Sequence, residues 1–206
     1  PVRSTATTSV ARVFISFCSL ALINVPRFDI RFNINPAQPL KTVPYKTNKL
    51  DNEAIIMTEG ILQIPSLKGK VSDAEWQARV DLAACYRLVE IYGMADMIAN
   101  HISARVPGEE GTYLINPYGM MYEEMTASCF LKINHDGEVL FKPDFGDLNY
   151  GFNKPGYILH SAVHKARPEV DCVIHTHTPA GMAISSLKCG LLPINQTSMR
   201  FLKISY

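Results

Sequence analysis

The stretch GFNKPGYILHSAVHKARPEVDCVIHTHTPAG, residues 151–181, decides the fold class of this chain. Pro155 is a residue favoured in the first turn of a helix, and it predicts a helix that runs to about Ala166. The Val-Ile content of Asp171–His177 then predicts a buried strand, and a second helix is predicted from Pro179 to about Leu187. Helix, strand and helix in direct succession indicate an α/β domain.

The sequence before this stretch continues the alternation of helices and strands. Ser72–Glu75 (SDAE) has the spacing of a capping box, and apolar residues then recur at helical spacing from Trp76 to Tyr92. Gly93 is predicted to end this helix, because glycine adopts a left-handed conformation easily. Four short strands are predicted next, at residues 100–105, 113–116, 130–133 and 139–141. Asn134–Gly137 (NHDG) joins the last two strands and predicts a tight hairpin, because Asp-Gly tolerates positive φ angles.

Residues 1–71 are predicted to be a poorly ordered N-terminal extension and linker, and residues 72–206 to be the domain. The longest apolar run, Val13–Val25, resembles a signal-peptide core or a transit segment, but it is shorter than the roughly 18 residues of a membrane span. The chain does not begin with Met, so a native start at Met57 is favoured. The residues before it are then a gene-model artefact or an unstructured tail.

The composition excludes several function classes. The formal net charge is +1, which gives no clustered basic face for nucleic acid. The five cysteines lie far apart without CxxC spacing, which argues against a disulfide scaffold or a cysteine zinc site. Reduced thiols in a cytoplasmic protein are the simpler interpretation.

The pattern His175-Thr176-His177 is the sharpest indication of chemistry. Residues two apart in a strand point to the same face, and two neutral imidazoles can share a zinc ion. A histidine pair without metal is the alternative, since such pairs are common. His160 and His164 share a helical face without the Glu of a metalloprotease motif, so one packed and one solvated imidazole is expected. No role is assigned to the other two histidines, His101 and His135.

No catalytic residue can be assigned from spacing alone. The sequence lacks a GxSxG nucleophile elbow, a GxGxxG loop and a P-loop. The acidic residues around Tyr122–Glu124 and at Asp144 and Asp147 read as solvated carboxylates, and nothing singles one out as a general base.

Four strings, in this order and spacing, resemble the class II aldolase/adducin domain from about Trp76 to Phe201. They are NHISARVP, YLINPYGMMYEEMTAS, the stretch at residues 151–181, and LKCGLLPI. Within that family the sequence is most similar to adducin and its adducin-like bacterial relatives. The resemblance implies a three-layer α/β fold, in which helices flank a mixed, mainly antiparallel central sheet.

The aldolases and epimerases of this family bind Zn²⁺ through three histidines, and the resemblance assigns the first two to His175 and His177. The third lies further along the family sequence than Tyr206, so this chain is expected to be a fragment truncated at its C-terminus. Aldolases carry a proton-moving acid 19 positions before the first histidine, where this sequence has Gly156. The usual catalytic acid is therefore replaced by a residue that cannot transfer protons.

The resemblance also implies an anion site, at Asn100, Gly119 and Lys154. The first hypothesis is a zinc-dependent, lyase-like domain that acts on a small hydroxy-carbonyl or sugar-phosphate substrate and forms homo-oligomers when intact. The alternative is an adducin-like, non-enzymatic interaction domain associated with the actin and spectrin cytoskeleton.

Overall fold

The computed structural model describes residues 62–201, together with the backbone of three short strands outside that range. The helices are α1 (Asp73–Ile91), α2 (Lys154–Ala166) and α3 (Pro179–Ser186), with 3₁₀ turns at Tyr122–Glu124 and Ser198–Phe201. The strands are β1 (Val13–Phe17), β2 (Ala21–Asn24), β3 (His101–Arg105), β4 (Thr112–Ile115), β5 (Leu131–Asn134), β6 (Val139–Phe141), β7 (Cys172–Thr176) and β8 (Ile204–Ser205).

The strands form one mixed sheet in the order β6-β5-β4-β3-β7-β1-β2-β8. Every neighbouring pair from β6 to β7 is antiparallel, whereas β1 runs parallel to β7. The predicted mixed, mainly antiparallel sheet is therefore confirmed. The predicted poor order of residues 1–71 and the start at Met57 fall largely outside the described residues and stay predictions.

Helix α1 begins and ends as its sequence predicts. The Ser72 hydroxyl accepts a hydrogen bond from the Glu75 backbone N–H at 3.1 Å. Gly93 closes the helix with φ +63°, a left-handed conformation that glycine adopts without steric cost. The second half of the predicted capping box is not formed, because the Glu75 carboxylate bonds to Arg79 and Lys132 instead.

The buried face of α1 differs from the predicted stripe between Trp76 and Tyr92. Tyr92 is 72% exposed, and the face turned inward consists of Glu75, Arg79, Leu82, Ala83, Tyr86 and Val89. The apolar spacing misleads here because two charged residues are satisfied inside the protein. The Arg79 guanidinium donates to Glu75 at 2.8 Å and to the Phe130 carbonyl at 2.9 Å.

The β5–β6 hairpin forms where the NHDG turn predicts it. Gly137 has φ +78°, and its N–H donates to the Asn134 carbonyl at 3.0 Å. Beyond Leu191 the chain folds into the 3₁₀ turn Ser198–Phe201. The side chain of Asn195 stabilises that turn by accepting the Ser198 N–H at 2.9 Å.

Alternate residues of β3 face opposite layers. The Ile102 N–H donates to the hydroxyl of Tyr86 on α1 at 2.7 Å. The next residue, Ser103, bonds to His160 on α2 at 2.7 Å. Helix α1 therefore covers one face of the sheet and α2 the other, which confirms the three-layer arrangement. None of the helices in the described residues has the length and apolar character needed to cross a membrane.

Candidate metal centre

The two histidines of the HTH pattern lie together where β7 ends. The Nε2 atoms of His175 and His177 are 2.9 Å apart, and the two rings are perpendicular. The Thr178 hydroxyl then accepts the N–H of Gly181 at 3.2 Å and caps α3, so the chain leaves the strand directly after the pair. The strand thus presents two imidazole nitrogens at one point, as the spacing predicts.

A carboxylate that the sequence interpretation did not include holds the second histidine. Asp96 Oδ2 lies 2.9 Å from His177 Nδ1. The Asp96 backbone N–H donates to the side-chain oxygen of Asn100 at 2.6 Å. Asn100, predicted as an anion ligand, therefore uses its oxygen to fix the segment that carries Asp96. Its Nδ2 is buried and has no hydrogen-bond partner in the described part of the chain.

His101, which has no assigned role in the sequence interpretation, faces the pair from the neighbouring strand. The antiparallel register places it directly opposite His175, and the two ring centroids are 5.0 Å apart. Its side chain is 3% exposed, and neither ring nitrogen has a hydrogen-bond partner among the described residues. The strand pairing that brings it here is a long-range feature, which local sequence patterns do not reveal.

The ring of His101 also accounts for the glycine at position 156. A Cβ atom on Gly156 would lie 1.6 Å from His101 Nε2, which is far inside any van der Waals contact. Any side chain at position 156 would have to displace the buried imidazole. The space that the family resemblance assigns to a catalytic acid is therefore filled by His101.

His160 and His164 are both buried, so the expectation of one solvated imidazole is wrong. Ser103 Oγ lies 2.7 Å from His160 Nδ1 and 2.9 Å from His164 Nε2. The hydroxyl on β3 draws both rings against the sheet, which spacing on α2 alone could not indicate.

All six histidines of the chain are linked in one contiguous series of side-chain contacts, part of which lies between the sheet and α2. The contacts run from the pair at β7 through His101 and His160 to Ser103 and His164, and then through Tyr113. His135 ends the series, with its Nε2 2.9 Å from the Tyr113 hydroxyl.

Burial keeps His101 and His175 neutral at pH 7. Loss of hydration lowers the pKa of His101 to about 4, and the adjacent His175 lowers it further. Loss of hydration, with a contribution from His177, lowers the pKa of His175 to about 4. Neutral imidazole is the form that binds a metal ion, so the site needs no proton release from these rings near pH 7.

The other two residues predicted for anion binding lie at or near the start of α2. Gly119 has φ +111°, and a Cβ there would meet the Tyr150 ring at 3.2 Å. The N–H of the preceding Tyr118 donates to the Gly151 carbonyl at 2.8 Å. Lys154 is exposed at the first position of α2. Their role in anion binding stays a prediction.

The histidine pair fits the two-histidine part of a zinc site. The Nε2 atoms converge, and the other nitrogen of His177 faces a carboxylate, as metal-ligating histidines commonly do. Within residues 62–201, no group of three or more His, Cys, Asp or Glu side chains is arranged to hold a metal ion. Zinc binding by the pair stays a prediction.

Comparison with known proteins relates this geometry to a family. The family model described as the class II aldolase and adducin N-terminal domain matches residues 80–206. A Caulobacter vibrioides protein named "Putative aldolase class 2 protein" is 52% identical over 143 residues, which are 69% of this chain and 54% of that protein. Alpha-adducin of Rattus norvegicus is 44% identical over 128 residues, which are 62% of this chain and 17% of that protein.

Solved structures agree with the sequence relatives. An aldolase II superfamily protein from Pseudomonas syringae has a TM-score of 0.61 and 44% identity, over 66% of this chain and 53% of that one. The L-fuculose 1-phosphate aldolase of Glaciozyma antarctica has a TM-score of 0.56 and 29% identity, over 67% of this chain and 54% of that enzyme. This chain spans about half the length of its curated bacterial relatives. It belongs to the class II aldolase and adducin N-terminal domain family.

Proposed function

We propose that this domain binds a zinc ion through His175 and His177 and acts as a lyase-like enzyme on a small hydroxy-carbonyl or sugar-phosphate substrate. The observation that carries the proposal is the convergence of the two Nε2 atoms, 2.9 Å apart, beside the carboxylate of Asp96. A zinc ion at this point would polarise a substrate carbonyl and stabilise the negative charge that forms on its oxygen.

The similarity to L-fuculose 1-phosphate aldolase supports this substrate class, although the likeness covers only about half of that enzyme. Asn100, Gly119 and Lys154 are the proposed contacts for an anionic group of the substrate. The buried Nδ2 of Asn100 is a donor without a partner in the described residues, and Lys154 supplies an exposed positive charge.

The proposed reaction cannot use the acid found in the family's aldolases. Gly156 carries no side chain, and His101 fills the space next to it. The substrate chemistry is therefore expected to differ from aldol cleavage by the usual route, and the catalytic residue stays unassigned. Dehydration and epimerisation of hydroxy-carbonyl compounds belong in the same screen as retro-aldol cleavage.

The second candidate is an adducin-like interaction domain with cytoskeletal partners, and the surface of α3 favours it. None of the eight residues of α3 is buried, although the helix is largely apolar. Met182 in the helix and Leu187 directly after it are 38% and 51% exposed. An apolar surface of this kind is typical of a protein contact, either with a partner or with a second copy in a homo-oligomer.

Zinc content distinguishes the two candidates. We expect elemental analysis of the purified chain to give about one zinc per molecule, lost in His175→Ala, because one imidazole alone is a weak site. His135→Ala is the matched control, since that histidine lies at the other end of the same series of contacts and should leave zinc unchanged. Absence of zinc from the unaltered chain would sink the enzyme proposal and leave the interaction domain.

A further inference from the structure

We propose that Asp96 is the positioning residue of this centre, and that its carboxylate holds His177 with Nε2 free to bind the metal ion. The inference rests on the proposed metal site. It begins from the 2.9 Å contact between Asp96 Oδ2 and His177 Nδ1.

The contact fixes the tautomer of the histidine. An ionised carboxylate can only accept hydrogen bonds, so Nδ1 of His177 must carry the proton. In the neutral ring Nε2 then has a bare lone pair, and it is this atom that faces Nε2 of His175. Without the carboxylate, the neutral ring could place its proton on either nitrogen, and one of the two tautomers cannot bind a metal ion through Nε2.

The chain around Asp96 is built to hold the carboxylate in place. Its N–H donates to Asn100 Oδ1 at 2.6 Å, and its carbonyl accepts the N–H of Ala99 at 2.9 Å. The following residue, Met97, has φ +45°, and it is the only non-glycine with positive φ among the described residues.

Burial of the Met97 side chain does not explain this strained conformation. The side chain of Met97 is 68% exposed, so the left-handed turn does not bury it. Strained backbone persists where the surrounding structure determines it, and such residues cluster at functional sites. The left-handed residue directly follows Asp96, whose carboxylate contacts His177.

A purely structural role of Asp96 would predict a different effect of its removal on metal affinity. The Asp96 side chain is 46% exposed and that of His177 is 21% exposed, and a pair this accessible to water adds little to stability. If Asp96 only supported the fold, its removal would leave metal affinity unchanged. As a positioning residue it acts on metal affinity with little change in unfolding.

The test is a competitive titration of Zn²⁺ against a chromophoric chelator, with the full chain. We expect Asp96→Ala to weaken zinc binding about 10–100-fold, the range found for the partners of metal-bound histidines. Asp96→Asn should recover part of the loss, because its carbonyl oxygen can still accept the Nδ1 proton. The control is Asp81→Asn, an exposed carboxylate on α1 that accepts from Gln77 at 2.9 Å. It should bind as the unaltered chain does.

The absorption of bound Co²⁺ gives a second readout, since a displaced histidine changes the ligand field even where metal still binds. If zinc binds and His177→Ala abolishes binding, but Asp96→Ala binds with unchanged affinity and spectrum, the positioning role is overturned and the metal centre stands. If the unaltered chain binds no metal, the proposed centre itself fails. Urea unfolding of each variant separates a loss of affinity from a loss of fold.

Discussion

His101 and Gly156 occupy one space in the layer between the sheet and α2. The imidazole is held by its own strand and lies between the rings of His160 and His175, with centroid distances of 4.4 and 5.0 Å. The glycine stands in the first turn of α2, where its N–H donates to the side chain of Asn153 at 3.1 Å. Neither position can change without consequence for the other.

The substitution Gly156→Ala should therefore destabilise the protein. In a helix, alanine normally gains up to about 1 kcal/mol over glycine. Here the added Cβ would lie 1.6 Å from Nε2 of a buried ring, so overpacking at a cost of about 1–3 kcal/mol is expected to reverse the sign. Urea unfolding of the two proteins measures the difference.

Two further variants decide whether the clash is the cause. Gly151→Ala is the control, because a Cβ there meets nothing within 4 Å, and it should be close to neutral. In the double variant His101→Ala/Gly156→Ala, the alanine at 156 should cost much less than in the unaltered background. Costs that simply add would show that the two residues do not compete for space.

At the scale of elements, an internal ion network joins α1 to β5. Glu75 and Arg79 are 2% and 0% exposed, and both bond to residues of the segment Phe130–Lys132. Lys132 Nζ is 2.7 Å from Oε2 of the buried Glu75 and 2.8 Å from Oε1 of Glu109, which lies at the protein surface. Charged residues on the inner face of a helix explain why apolar periodicity placed that face incorrectly.

The substitution Glu75→Ala should cost about 3–5 kcal/mol of unfolding free energy, because it leaves a buried guanidinium without its counter-ion. Glu109→Ala removes the outer partner of the same lysine, from a side chain that is 42% exposed, and should cost less than about 1 kcal/mol. Chemical denaturation of both variants gives the comparison.

Replacing both members of the pair tests the explanation. In Glu75→Leu/Arg79→Met no buried charge is left unpaired, and stability should return towards that of the unaltered chain. A double variant as unstable as Glu75→Ala would mean that the loss comes from packing and not from an isolated charge.

The sequence predicted those elements whose determinants are local. The caps at Ser72 and Gly93, the NHDG hairpin and the start of α2 at the Lys154–Pro155 step each depend on a few adjacent residues. The buried face of α1 depends on Phe130 and Lys132, about 50 residues away, which no local pattern contains.

At the scale of the whole molecule, the same distinction applies to the site. The spacing of His175 and His177 predicts their shared face, and the two nitrogens do converge. Asp96 reaches His177 across 81 residues of sequence, and His101 reaches His175 only through the register of β3 against β7. Sequence reasoning from local patterns thus finds the two histidines at the end of one strand and misses their neighbours.

Four buried histidines with lowered pKa values make the stability of the fold sensitive to acid: His101, His160, His164 and His175. Burial is the main cause that lowers the pKa of His164 from 6.5 to about 3, and the nearby positive charge of Arg105 adds to it. Well above pH 6.5 the ring is neutral in both the folded and the unfolded chain, so its contribution to the free energy of unfolding is fully present. As the pH falls from 6.5 towards 3, the unfolded chain binds a proton at this ring and the folded chain does not. The free energy of unfolding therefore decreases.

For His164 alone this loss amounts to about 1.4 kcal/mol between pH 7.5 and pH 5.5, given an unfolded pKa of about 6.5. His164→Gln should therefore lower the unfolding free energy at pH 7.5, because the bond to Ser103 is altered, yet show a smaller further decrease at pH 5.5. His135→Gln, in a half-buried position, should keep most of the original dependence. Urea unfolding with a chelator present, at both pH values, measures the slopes. Equal slopes for the unaltered chain and His164→Gln would show that the buried ring takes up its proton within the fold, and that these histidines do not set the acid limit of stability.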